Sequence, residues 1–144
     1  CPQMAMLRME GSVFFGAVEH VQQQLRSVDE INPQKKHLML FSRAINFVDL
    51  AGAEMLAKEA VRRRKIGGGL YLVGVQPGFC EMLKQGGHIE IIGVENNFKH
   101  KGEALRAVYP RFDTEICRNC TARIFHECQT HLPNGEPRDG SPSH

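Results

Sequence analysis

Apolar and polar positions sort this chain into alternating strands and helices. Met4 to Glu10 (MAMLRME) is a short apolar run closed by Gly11-Ser12 and predicts a first strand, with Val13-Phe14-Phe15 predicting a second, very short one. From Gly16 the period changes. Val18, Val21, Leu25 and Val28 recur three and four apart, which predicts an amphipathic helix ending before Asn32-Pro33. His37 to Phe41 (HLMLF) is a compact apolar run of the kind buried on both faces of a sheet. After a loop from Ser42 to Asp49, Ala53, Leu56, Ala57 and Ala60 form one stripe of a second helix. That helix finishes in Arg62-Arg63-Arg64-Lys65, read as a solvated end whose charge complements the helix C-terminus.

Gly67-Gly68-Gly69 breaks the pattern before a buried strand, Leu70 to Val75. Because this glycine run precedes a strand, and no Gly-Lys-Ser/Thr follows it, it is a breaker and not a phosphate loop. Pro77 suits the first turn of a third helix, with Phe79, Met82 and Leu83 inward and Gly86-Gly87 closing it. His88 to Gly93 reads as a further strand. A fourth helix carries Ala104, Leu105 and Val108 to the stop at Pro110. Strands alternating with helices predict an α/β layer structure with a partly parallel sheet.

Composition narrows the function classes. The 144 residues suit one domain with a single core, and 42% hydrophobic with 24% charged residues is ordinary for a globular chain. A net charge of +2 supplies no bulk field for a nucleic-acid polymer. No apolar run approaches the roughly 18 residues that span a bilayer. Cys1-Pro2-Gln3 leads straight into a strand, without a signal-peptide pattern, and such a start reads as a segment of a longer polypeptide. The odd count of five cysteines favours a reducing, cytoplasmic setting. No nucleophile elbow, HExxH or Ser-His-Asp ordering is present, and His20 and His37 read as ordinary surface or satisfied histidines. The chain is therefore expected not to be an enzyme and to need no cofactor.

Two segments carry a resemblance. Gly11-Ser12-Val13-Phe14-Phe15-Gly16 leads into the first helix, and Ile45-Asn46-Phe47-Val48-Asp49-Leu50-Ala51-Gly52 links the central strand to the second. With the element order, they resemble the STAS domain shared by sulfate transporters and anti-sigma-factor antagonists, over roughly residues 4 to 112. Tyr109-Pro110-Arg111-Phe112-Asp113 resembles the exit of the transporter branch. The resemblance implies a mixed β-sheet with about four helices packed mainly on one side, over residues 1–113. A cysteine-rich helical extension (114–132) and a disordered tail (133–144) are expected to follow.

The resemblance further implies the cytoplasmic regulatory domain of a bacterial SulP-type secondary anion transporter at the inner membrane. The anion would be sulfate, bicarbonate or a dicarboxylate. Expected partners are the transmembrane domain of the same polypeptide, a cytoplasmic protein, a small anion or nucleotide, or a second copy of the chain. The implied working surface is Phe14, Phe15 and Gly16 with Asn46, Phe47, Asp49, Leu50, Ala51 and Gly52. Physics supports the turn independently: Asp49 can cap exposed helix N–H groups, and Gly52 permits close backbone approach at the carboxyl end of a central strand. A plain capped connection is the competing reading. In the antagonist branch a phosphorylatable Ser or Thr lies between the acidic residue and the glycine. Here that position is Ala51, which carries no hydroxyl, and Ser42 is the nearest other one. A stand-alone antagonist-like protein-binding domain remains the rival reading.

The spacing Cys117-x2-Cys120-x7-Cys128-x2-His131 offers four ligands of zinc-binding type. On one continuous helix Cys117 and His131 would stand about 21 Å apart, at 1.5 Å per residue. Ligands at about 2.0–2.3 Å from one metal cannot be so separated. A terminal helix packing Cys120, Ile124 and Cys128 against the domain is favoured over a metal site or a redox pair of Cys117 and Cys120.

Overall fold

The computed structural model describes residues 3–8, 35–45, 49–120 and 125–137 of the chain. Among the described residues four strands, β1 (Met4–Arg8), β2 (His37–Phe41), β3 (Gly69–Val73) and β4 (Asn97–Phe98), form one sheet in the order β1-β2-β3-β4. All three pairings are parallel, with Met39 opposite Met6 and Tyr71. The strand predicted at Val13–Phe15 and the helix predicted from Gly16 lie outside the described residues.

The pleat sorts successive side chains onto opposite faces. Ala5, Leu38, Leu40, Leu70 and Leu72 point to one face, where helices α1 (Leu50–Lys65), α2 (Pro77–Gln85) and α3 (His88–Ile92) cover them. Met4, Met39, Tyr71 and Val73 point to the other face. There helix α4 (Lys101–Val108) and the C-terminal segments α5 (Thr114–Asn119) and α6 (His126–Thr130) pack. Leu38, Met39 and Leu40 are fully buried, so β2 is the doubly covered strand its apolar run predicts.

The stripe predicted for α1 is the buried one: Ala53, Leu56, Ala57 and Ala60 face the core, joined by Met55. Its basic end differs from expectation. Arg62, Arg64 and Lys65 are exposed, but Arg63 is wholly buried. Its Nη1 donates to the carbonyls of Lys35 (3.1 Å) and Lys36 (3.2 Å), and its Nε donates to Glu59 (2.7 Å). A buried guanidinium is tolerated because carbonyl and carboxylate oxygens meet it. The glycine run then has a packing reason as well as a breaking one. A Cβ on Gly68 would collide with the Lys36 carbonyl, which also accepts the Gly69 N–H.

The strand after this run ends at Val73 and not Val75. Gly74 still donates its N–H to the Phe98 carbonyl of β4 (2.8 Å), but its left-handed φ of 72° turns the chain off the sheet. The strand expected over His88–Gly93 is helix α3. Gly87, at φ 73°, lets the chain re-enter a helix at once, and Ile89 and Ile92, three apart, share the face buried against α1. A strand would have put Glu90 on the same face as Ile92, with nothing to pair its charge.

The C-terminal extension is not one continuous helix. Asp113 caps α5 through Glu115 N–H (2.9 Å) and Ile116 N–H (3.3 Å), and Cys120 ends it in an extended conformation. Phe125 is extended ahead of α6. The Gln3 carboxamide holds the extension to β1: it accepts from the Asp113 N–H (2.7 Å), and donates to the Asp113 carbonyl (2.9 Å) and Cys117 Sγ (3.1 Å). Tyr109 OH donates to the His131 carbonyl. Residues 133–137 turn back, with Leu132 N–H bonded to the Glu136 carbonyl at 2.8 Å.

Candidate functional site

The loop after β2 is anchored before it reaches the candidate turn. Ser42 continues the parallel pairing by donating its N–H to the Val73 carbonyl (2.9 Å), and its own carbonyl accepts the Ile45 N–H (3.0 Å). Ser42 and Ile45 are both fully buried. Ser42 is thus closed to a modifying enzyme and cannot replace the hydroxyl that Ala51 lacks. Asp49 is extended, and its carboxylate accepts the Gly52 N–H at 2.8 Å while its carbonyl accepts the Ala53 N–H at 3.0 Å. It is the N-cap of α1 in full geometry, worth about 1 kcal/mol to the helix.

This cap sets what the turn presents. Gly52 and Ala53 are turned into the core; Ala51 is exposed and Leu50 is 60% exposed, among the largest apolar exposures described. The turn therefore offers a small apolar step on a fixed helix start. Phe14, Phe15, Gly16, Asn46 and Phe47, the other residues of the predicted surface, lie outside the described residues.

The carboxyl ends of β1, β2 and β3 border a cavity of about 440 Å³ lined by Arg8, Phe41, Arg43, Val73, Gly74 and Lys101 among others. A neighbouring cavity of about 530 Å³ shares Arg43 and Gly74 and extends to Gln76, Cys80 and Asn97. The sequence reading did not single these residues out. Arg43 follows closely on the predicted strand His37–Phe41, but only the parallel topology brings Arg8 and Lys101 to the same cavity.

At the opposite edge, His37 is buried and hydrogen-bonded to Tyr71 OH at 2.8 Å. Burial, and then the charges of Arg111, Arg63 and Lys36, push its pKa down from 6.5 to about 4. The ring is therefore neutral near pH 7 and already partnered, as expected of a satisfied histidine. Arg111 lies 5.6 Å over the Tyr71 ring and donates to Asn96 (2.8 Å). Burial raises the Tyr71 phenol. These groups hold one another, and no nucleophile faces a base among them.

The cysteines divide differently from expectation. Cys117 and Cys128 are buried on the face covered by the extension, whereas Cys120 is half-buried and His131 exposed. No group of three or more His, Cys, Asp or Glu side chains able to hold a metal occurs among the described residues. Nor is any helix among them long and apolar enough to cross a membrane.

Residues 2–104 match the family model of the STAS domain. Over 102 residues the chain is 26% identical to "Putative sulfate transporter YvdB" of Bacillus subtilis (strain 168), covering 71% of this chain. The chain spans only 19% of the length of that relative. A solved structure of a sulfate transporter family protein from Wolinella succinogenes superposes with a TM-score of 0.63 at 26% identity, covering 74% of this chain and 84% of the other. The fold is shared more widely. A structure from Thermotoga maritima, named a putative anti-sigma factor antagonist, matches with a TM-score of 0.58 at 12% identity, over 71% of this chain and 86% of that one.

Proposed function

The chain belongs to the STAS domain family, and from that premise we propose that it is the cytoplasmic regulatory domain of a SulP-type anion transporter at the inner membrane. It works by binding and not by catalysis. The capped turn Asp49–Gly52, with its neighbours Asn46 and Phe47 and the segment Phe14–Gly16, docks onto the transmembrane part of the same polypeptide. The likeness to two sulfate-transporter sequences supports the setting. The observation that carries the docking role is the pairing of a fixed cap with an exposed Leu50 and Ala51. An apolar side chain held outward by a rigid helix start loses little conformational freedom on binding.

The Thermotoga likeness keeps an antagonist-type domain as the second reading, since both branches share this fold. Ala51 weighs against it: the turn carries no hydroxyl to phosphorylate, and Ser42 is buried.

The test is anion uptake by vesicles reconstituted with the full polypeptide carrying Leu50→Glu and Ala51→Glu. Coupling between a regulatory domain and its target is worth 1–3 kcal/mol, so uptake should change by roughly fivefold or more. The same substitutions in the 144-residue chain should leave its thermal unfolding unchanged, because both sites are exposed. Unaltered uptake overturns the docking role. A reading frame encoding no membrane-spanning helices beside this domain removes the transporter setting and leaves the antagonist reading.

A further inference from the structure

We propose that the carboxyl edge of the sheet is a binding site for a small organic dianion, an apolar body bearing a phosphate or paired carboxylates, held by Arg8, Arg43 and Lys101. The topology assembles it. Arg8 is the last residue of β1, Arg43 follows the end of β2 by two residues, and Lys101 opens α4. In a parallel sheet all these ends fall on one edge, which is where open α/β sheets leave a crevice. The three cations come from positions spread over most of the chain and share one cavity of about 440 Å³. That volume lies within the range of small-molecule pockets, roughly 300–1,000 Å³.

Charge is the first argument. The ion pairs among the described residues lie elsewhere, joining Glu59 to Arg62 and Arg63, and Arg118 to Glu115 and Glu136. None of them neutralises Arg8, Arg43 or Lys101. Three like charges around one hollow repel one another, and an anion bound between them relieves that repulsion while gaining three attractions.

The floor is the second argument, and it sets the class of anion. Phe41 and Val73 end their strands under the cavity, with Phe41 half-buried and Val73 buried. Gly74 keeps the wall thin: a Cβ there would stand 3.4 Å from Arg43 Nε, so the Arg43 side chain runs close over a backbone that carries no side chain. Arg43 borders both this cavity and its neighbour. A bare inorganic anion would use the cations and leave the apolar floor wet. An organic anion covers that floor and gains the free energy of apolar burial as well. The site does not include Asp49–Gly52, so it stands or falls separately from the docking role.

Titration of the 144-residue chain with phenyl phosphate, followed by calorimetry and by ¹H–¹⁵N NMR, tests this. Phenyl phosphate should shift the amides of Arg8, Arg43 and Gly74 and bind at least about tenfold more tightly than inorganic phosphate, because only the former buries the floor. Arg43→Gln and Lys101→Gln should each weaken it by about fivefold or more, through loss of a charge-assisted contact, without changing thermal unfolding. Equal affinity for the two phosphates, shifts confined to another surface, or binding untouched by both substitutions overturns the proposal. A headgroup source is separated with vesicles containing phosphatidylserine. Vesicle binding that needs Arg43 and Lys101 but is not displaced by phenyl phosphate makes this edge a membrane-facing patch and overturns the pocket.

Discussion

Replacing Arg63 with methionine should destabilise the chain far more than its place in a run of four basic residues suggests. Arg63 is wholly buried and ties the end of α1 to the approach to β2 through the carbonyls of Lys35 and Lys36. It also donates to Glu59, whose side chain is 11% exposed. Removing one member of a buried ion pair costs about 3–5 kcal/mol. Two features lower that here. Glu59 keeps Arg62, whose Nη2 lies 2.7 Å away, and the Lys36 carbonyl keeps the Gly69 N–H. Methionine also fills much of the space of the arginine stem. The expected loss is therefore about 2–3 kcal/mol, against a total stability of about 5–15 kcal/mol for such a domain. For a chain of this size it corresponds to a fall in Tm of roughly 4–12 °C. Urea unfolding monitored by circular dichroism measures it, with Arg64→Met as the control. Arg64 is exposed, so its variant should stay within about 0.5 kcal/mol of wild type. If the two variants unfold together, within 0.5 kcal/mol, the buried-staple account is wrong.

Two further outcomes follow from the site and the core. Asp49→Ala should cost about 1 kcal/mol by removing the cap on Gly52, whereas Asp49→Asn, which caps equally well, should cost only a few tenths; equal losses in denaturant titration would show that the carboxylate does something other than cap. Acid should weaken the fold through His37. Its folded pKa of about 4 lies below the ordinary 6.5, so the unfolded chain binds the proton first; stability is complete above pH 6.5 and falls as pH drops toward 4, by about 3 kcal/mol at 1.36 kcal/mol per unit. Burial alone would raise the Glu59 carboxyl, but the hydrogen bond from Arg62 and the charges of Arg63 and Arg62 outweigh it and hold it low, which removes further stability in acid. NMR titration of the His37 ring checks the first point: a midpoint at pH 6 or above would contradict it.

Where the chain's pattern is long and regular, the fold was legible in it. The unbroken apolar run His37–Phe41 predicts a strand buried on both faces, and the four-residue stripe of α1 predicts the face that helix buries, because each kind of burial leaves its own mark on the sequence. The segment His88–Ile92 is only five residues, too short for its period to separate helix from strand; a left-handed Gly87 decides it. Arg63 is misread from composition alone, since a charge run looks solvated until two carbonyls and a carboxylate are brought to it. The cysteine spacing predicts one terminal helix packing Cys120, Ile124 and Cys128 against the domain, but the extended Cys120 and Phe125 break that axis. At the candidate turn, Asp49 and Gly52 announced the cap through local chemistry. The cations of the sheet edge were invisible for the opposite reason, being joined only by the parallel topology.

Docking through the capped turn is tested by ¹⁵N NMR of the chain titrated with the detergent-solubilised membrane region of the same polypeptide. Saturable shifts should centre on Asp49, Leu50 and Ala51 and be lost in Leu50→Glu. Binding that shifts other surfaces and spares these residues would contradict it.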